Sequence, residues 1–394
     1  MVNYPRIILK KGRDKALRQG HPWLFSGAVA AREGNPGSGD IVLAADADGK
    51  PLALGFCGTG DIAFRLLTDD PTVRIDGDFW RQRMERAAAL RRKVVPPDTD
   101  AYRLVNAEGD GMPGLVCDVY GRVVVMTIGT AGMEQRREVI GGILQDLLAP
   151  VGIYERSEGR SRRLEGLPDR KGPVAGAVPE RLEIRENGMG FEVDLLAGQK
   201  TGFFLDQRLN REIVGSSSGA AEVLNCFSYT GAFSVYAARG GARRVVSVEA
   251  SEAANAIAGR NLVRNGFSLE EHPLVTANVF DYLRETGDAY DLIILDPPAF
   301  AKSRKDVERS ARGYKEINLQ AARRLREGGM LATFSCSNPI DAGLFEKIVL
   351  GAVRDAGKTA QLLRVLGAGA DHPVSLAHPE GRYLKGLLLC LHSG

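Results

Sequence analysis

Polar residues recur at the ends of strand-like apolar runs in the second half of the chain, at the spacing that an adenosine-binding α/β sheet uses. The first run, 222–226, leads through Phe227, Ser228, Tyr229 and Thr230 to Gly231. A glycine there permits a tight turn, and a helix over 231–239 presents its first N–H groups to a ligand. The second run, 245–249, ends on Glu249 about 20 residues after that turn, where a carboxylate accepts hydrogen bonds from both ribose hydroxyls. The third, 274–279, ends in Asn278-Val279-Phe280-Asp281. Asp281 could accept from an adenine amino group while Val279 or Phe280 packs on the ring. The fourth, 291–295, runs into Asp296-Pro297-Pro298-Ala299-Phe300. Consecutive prolines cannot continue a ladder, so carbonyls stay unpaired and Asp296 is aimed into the crevice, in a segment able to receive a planar base. Each carboxylate alone could equally be an ordinary surface residue. Together, at successive strand ends, they read as an adenosine site. The first turn is not G-x-G-x-x-G, which disfavours a nicotinamide enzyme, and no G-x-x-x-x-G-K-[ST] phosphate loop occurs.

A sheet must position these residues, and the pattern supplies one. From 222 onward, buried-strand runs alternate with helical patterns at 231–239, 252–265, 306–326 and 344–356, with further strands at 330–335, 361–365 and 387–391. Repeated βα units imply a parallel sheet covered by helices on both faces. The N-terminal third differs. Short strands at 7–9, 39–43, 52–56 and 62–67, separated by turn signals, suggest a small β-barrel over 1–73. An α+β domain follows over 74–190: a helix at 79–95, a strand at 102–106, a hairpin of 115–120 and 123–128 turning at Gly121, a helix at 134–148 and a strand at 151–156. The polar stretch 158–179 reads as a loop or linker, and 182–196 as a hairpin around Asn187-Gly188. The third domain is then 191–394.

With 394 residues, each domain is large enough to fold without staples. The five cysteines (Cys57, Cys117, Cys226, Cys336, Cys390) are scattered, with no CxxC pair and no Cys/His cluster at zinc spacing, so no metal is expected and a reducing cytoplasm suits the chain. No apolar run approaches the roughly 20 residues of a spanning helix, and no membrane association is expected. Net charge is only +3. The basic residues nevertheless cluster, as Lys10, Lys11, Arg13, Lys15 and Arg18, and as Lys302, Arg304, Lys305, Arg309, Arg312 and Lys315. Such runs are usually solvated faces, and their position decides whether they meet nucleic acid.

The segments Leu205-Asp206-Gln207-Arg208, 225–231, 296–300, Phe334-Ser335-Cys336-Ser337, Asp371-His372-Pro373 and Tyr383-Leu384-Lys385-Gly386 resemble the ribosomal RNA large-subunit methyltransferase I family. The resemblance spans essentially the whole chain. It implies a PUA-like RNA-binding barrel, an α+β central domain and a C-terminal class I, Rossmann-like domain that uses S-adenosylmethionine to make 5-methylcytosine in 23S rRNA. It also implies that 199–208 closes over the cofactor, Asp206 toward its amino group and Arg208 toward its carboxylate. Cofactor contacts are then expected from Phe204, Asp206, Arg208, Phe227, Tyr229, Thr230, Gly231, Glu249, Ala250, Val279, Asp281 and Asp296. A homodimer is allowed but not indicated.

Carbon 5 of cytosine is a poor nucleophile, and methylating it requires a thiolate at carbon 6, whereas a nitrogen target needs none. If the strand order is the family's, Cys336 ends the strand beside that of Asp296 and is the expected nucleophile. The other four cysteines read as small core hydrophobes. Many RNA 5-methylcytosine enzymes carry a second cysteine just after the fourth-strand proline. Here that position is Pro298, which leaves the acceptor of the carbon-5 proton open between Asp296, water and a nearby side chain. Asp296 could instead only orient the cytosine amino group. The rival readings are methylation of another base, such as guanine N7, with Cys336 a bystander, and an RNA-binding assembly factor without catalysis.

Overall fold

Val245, Val246, Ser247 and Val248, and likewise Leu292, Ile293, Ile294 and Leu295, are buried at every position. That is the signature of strands covered on both faces. They belong to a seven-stranded sheet of β1 (Glu222–Cys226), β2 (Arg244–Glu249), β3 (Leu274–Thr276), β4 (Tyr290–Leu295), β5 (Leu325–Ser335), β6 (Lys358–Leu366) and β7 (Lys385–Ser393), in the order β3-β2-β1-β4-β5-β7-β6. The first five run parallel, and β7 runs antiparallel to both of its neighbours. Between them lie α1 (Ala232–Arg239), α2 (Glu252–Arg264), α3 (Val279–Glu285), α4 (Val307–Arg324) and α5 (Ala342–Asp355). Side chains of Ser251, Asn278 and Asp341 cap α2, α3 and α5 by accepting from backbone N–H groups of the first turn.

The computed structural model describes residues 4–196, 198–301 and 303–394. The sheet lies in one of two units, comprising Gly188–Glu192, Asp206–Gly369 and Arg382–Gly394. The other comprises Met1–Asn187, Val193–Leu205 and Ala370–Gly381. It holds a six-stranded sheet whose strands 6–9, 23–25, 29–33, 41–45, 51–57 and 62–68 enclose Ile7, Leu9, Leu17, Val42 and Phe64. A five-stranded sheet follows, packed by Trp80 and Met84 of the helix Gly77–Val94 and by Ile140 and Leu144 of Arg137–Leu148. Leu54, Phe56 and Leu67 of the first sheet share that second core.

Three segments depart from the sequence-based expectation. The third strand stops at Thr276 because the Asn278 side chain accepts from Phe280 N at 2.9 Å and starts a helix. The stretch 158–179 contains a helix, Arg160–Leu164, and a strand, Arg170–Gly176, at the edge of the five-stranded sheet. An edge strand tolerates Pro173 and its glycines, which hid it from a pattern search. Strand Trp23–Phe25 is only three residues long and Val29–Glu33 is largely exposed, so neither carries an apolar alternation. At Asn187-Gly188 the expected hairpin turn is present, with φ of 49° and 78°, the pair of positive φ values that a tight hairpin turn demands.

Candidate active site

The loop after β1 is sharply bent: Phe227, Tyr229 and Gly231 have φ of 58°, 48° and 77°. Two non-glycine residues in this region cost of order 1 kcal/mol or more each, so the surroundings must impose the shape. They do so through Ser228 N donating to Val248 O (3.1 Å), Tyr229 N donating to Glu249 Oε2 (3.0 Å) and Gly231 N donating to Ser228 O (2.8 Å). Asn261 Nδ2 donates to Thr230 O at 2.9 Å. At Gly231 a Cβ would sit 2.8 Å from the Ala258 Cβ. Close packing and backbone angle both demand glycine there.

Glu249 ends β2 with Oε2 accepting from Tyr229 N of this loop and Oε1 from Ser251 N at the start of α2, each at 3.0 Å. A carboxylate offers about four acceptor sites, so both oxygens can still accept from hydroxyls. Ser228 Oγ and Thr230 Oγ1 are buried and have no hydrogen-bond partner among the described residues. Orphaned hydroxyls beside a half-buried carboxylate and a helix N-terminus fit a cofactor with ribose hydroxyls, an amino group and a carboxylate. Asp206, 2 % exposed, accepts from Tyr383 Oη at 2.5 Å, and Arg208, on the first turn of the helix Arg208–Ser216, is 5 % exposed.

Other expected cofactor residues fall differently. Ala250 is exposed. Val279 is packed into the core under the sheet, and Asp281 lies on the exposed face of α3, 3.4 Å from Arg284. The ring facing the site is Phe280, which joins a row running Phe227–Phe280–Phe300–Tyr314 with centroid separations of 6.4, 5.9 and 4.7 Å. Phe204 closes the piece Val193–Leu205 of the first unit, with Lys200 Nζ 4.4 Å over its ring. In that piece Thr201 Oγ1 donates to Asp118 Oδ2 (2.6 Å) and Phe203 N donates to Tyr120 Oη (3.3 Å).

On the substrate side, Leu295 of β4 pairs with Thr333 of β5. Asp296, one residue on, therefore stands beside the end of β5, just before Cys336. Ala301 N donates to Ser337 Oγ (3.1 Å), which also shares a hydrogen bond with Tyr314 Oη (2.9 Å). Ser337 thereby ties the segment after Pro298 to the segment that carries Cys336. Burial pushes the Tyr314 phenol up, so it stays protonated and can act as a donor. The Cys336 thiol is half-buried, whereas Cys57, Cys117 and Cys226 are fully buried and their thiols are pushed up by desolvation. Cys390 donates to Gly328 O at 3.4 Å. Those four are placed as packing or structural thiols. Among the described residues no group of three or more His, Cys, Asp or Glu could hold a metal ion.

Of the basic clusters, Lys10, Lys11, Arg13, Lys15 and Arg18 are exposed, and Arg18 pairs with Asp14 and Asp46. Lys305 and Arg312 are exposed, Arg309 pairs with Asp306, and Lys315 with Asp355. Lys302 lies outside the described residues. The first unit also holds a cavity of about 570 Å³ lined by Arg83, Arg86 and Lys93 together with Glu108 and Asp110. The segment Asp371-His372-Pro373 is structural. Asp371 Oδ2 accepts from Arg103 N (3.1 Å), Asp371 O from Arg91 Nη2 (2.9 Å) and Pro373 O from Asn106 Nδ2 (2.9 Å). Sequence reasoning gave no role to Ser337, Tyr314, Tyr383 or Lys385, although three of them lie in the segments that carried the resemblance.

Gly231→Val is expected to weaken S-adenosylmethionine binding at least about tenfold, since strain of about 1–3 kcal/mol and the Ala258 clash both move the loop. Isothermal titration calorimetry on folded protein measures it, and unchanged affinity would remove the loop from the cofactor site.

A family model described as S-adenosylmethionine-dependent methyltransferase matches residues 144–356, and one for a PUA-like domain matches residues 7–69. Among solved structures, a SAM-dependent methyltransferase from Streptococcus mutans aligns with TM-score 0.83 at 25% identity, over 98% of this chain and 99% of its own. A methyltransferase solved in complex with SAH aligns with TM-score 0.84 at 25% identity and the same coverage. Among curated proteins, ribosomal RNA large subunit methyltransferase I of Aeromonas salmonicida is 43% identical over 389 residues, 97% of this chain and 98% of that protein. Its counterpart in Klebsiella pneumoniae (strain 342) is 41% identical over 389 residues, 97% of each. At that identity over nearly its whole length, the chain belongs to the ribosomal RNA large subunit methyltransferase I family.

Proposed function

We propose that this protein methylates carbon 5 of a cytosine in 23S rRNA, with Cys336 as the nucleophile. The observation that carries the reading is the adjacency, set by the β4–β5 register, of Asp296 and a half-buried thiol at neighbouring strand ends. Bound S-adenosylmethionine supplies an electrophilic methyl group. It would be held by the loop 227–231, by Glu249 through its ribose and by Asp206 and Arg208 near its amino-acid end. The Cys336 thiolate bonds to carbon 6, and the displaced π electrons make carbon 5 nucleophilic. Once carbon 5 carries the methyl, loss of its proton re-forms the 5,6 double bond and the carbon–sulfur bond breaks, returning the thiolate. Phe280 and Phe300 offer apolar faces for a base drawn out of its stack. Exposed Lys11, Arg13, Lys15, Lys305 and Arg312, with Arg86 and Lys93 at the first-unit cavity, suit RNA phosphates, which fix register without reading sequence. Among the described residues no helix is long and apolar enough to cross a membrane.

The product decides between targets. Incubating the enzyme with isotope-labelled S-adenosylmethionine and unmodified 23S rRNA, then digesting to nucleosides for mass spectrometry, is expected to give labelled 5-methylcytidine. Label on guanosine or on a cytosine nitrogen would overturn the reading.

A further inference from the structure

The antiparallel pairing of β5 with β7 sets Lys385 opposite Ser335, and the Lys385 side chain turns back to donate from Nζ to Ser337 O at 2.9 Å. Lys385 is thus tied by its backbone to the residue before Cys336 and by its ammonium to the residue after it. We propose that Lys385 is a positioning residue that holds Cys336 as a thiolate and fixes its direction at the end of β5. This rests on the reading of Cys336 as nucleophile. Among the described residues, Lys385 is a cation held next to the segment that carries the thiol, half-buried and bonded to the Ser337 carbonyl, where a charge acts far more strongly than it does in water.

Among the described residues, the other charged or titratable groups facing Cys336 do not supply that charge. Tyr314 of α4 reaches Ser337 and stays protonated because burial pushes its phenol up, with Cys336 adding to the shift. Asp341, the cap of α5, is acidic and faces Lys385, and Asp296 at the end of β4 is acidic as well. Burial pulls the Lys385 ammonium below its ordinary range, while Cys336 and Asp341 hold it up. The mutual sign is therefore favourable: a thiolate at Cys336 raises the lysine, and the ammonium lowers the thiol. A free thiol near pKa 8.5 is only a few per cent ionised at neutral pH, so a shift of about one unit changes the reactive fraction roughly tenfold.

The test is alkylation of Cys336 by iodoacetamide from pH 6 to 10 in the full-length protein, followed by mass spectrometry of its peptide, for wild type, Lys385→Met and Lys385→Arg. Thermal melts run beside it. Lys385→Met is expected to move the midpoint of alkylation up by about one unit and to slow the reaction at pH 7 about tenfold, with Lys385→Arg staying close to wild type. Coincident wild-type and Lys385→Met profiles in folded protein would overturn the proposal, and so would Lys385→Arg behaving as Lys385→Met does. If Lys385→Met fails to fold, Lys385→Gln takes its place under the same criteria. The readout stands apart from catalysis: methyl transfer retained by Cys336→Ala would sink the nucleophile reading while leaving the alkylation shift intact, and the converse result would sink only the role of Lys385.

Discussion

Replacing Cys336 by alanine is expected to lower methyl transfer to RNA by at least about a thousandfold while leaving S-adenosylmethionine affinity and the melting temperature near wild type. Removing the nucleophile of a covalent mechanism leaves only binding and orientation, and such losses run to several powers of ten. The loop proposed to hold the cofactor lies elsewhere: the bent segment 227–231 is held by Val248, Glu249 and Asn261, none of which depends on Cys336. Substitution at Cys226 should act through packing alone, because that thiol is fully enclosed and burial keeps it protonated. A single-turnover assay with labelled cofactor separates the two. Equal rates for wild type and Cys336→Ala would leave the thiol a bystander and favour a nitrogen target.

The largest effect on stability is expected at Arg91. This side chain, 1 % exposed, donates to Asp110 through Nη1 (2.6 Å) and Nη2 (2.8 Å), to Arg103 O through Nε (2.8 Å) and to Asp371 O through Nη2 (2.9 Å). Arg91→Met leaves the largely enclosed Asp110 carboxylate, at the wall of the first-unit cavity, and two carbonyls without their arginine donor, at a cost of about 3 kcal/mol. A domain with 5–15 kcal/mol in total stands to lose a large share of it, and unfolding of the first unit should shift down on the order of 10 °C. Differential scanning calorimetry reads this. The double variant Arg91→Met/Asp110→Leu should recover part of the loss, since it removes the uncompensated charge; a double variant less stable than Arg91→Met would contradict that cause.

Much of the catalytic sheet is legible in the sequence because its strands obey a strong physical rule. Val245 to Val248 and Leu292 to Leu295 must be apolar or small to lie between two helical layers. Gly231 and Glu249 could be located by counting from those runs, and the structure brings them to one loop. The position of Asp281 has a local explanation. The pair Asn278 and Phe280 starts a helix one step earlier than a strand reading allows, which turns Val279 inward and leaves Asp281 on the surface with Arg284. Lys385, Tyr383 and Ser337 were invisible as site residues for another reason. Their roles depend on β7 returning antiparallel beside β5 and on the 383–385 segment meeting Ser337 and Asp206, contacts between residues far apart in the chain. The strand Arg170–Gly176 escaped because an edge position lifts the rules against proline and glycine that identify central strands.

The thiolate step itself can be captured. An RNA substrate carrying 5-fluorocytidine at the target has no proton to lose from carbon 5, so after methyl transfer the carbon–sulfur bond cannot break. Incubating it with the full-length enzyme and S-adenosylmethionine, followed by proteolysis and mass spectrometry, should yield a methylated nucleotide joined to the peptide that contains Cys336. Methyl transfer to the RNA with no adduct, or an adduct on any other residue, would contradict addition by Cys336.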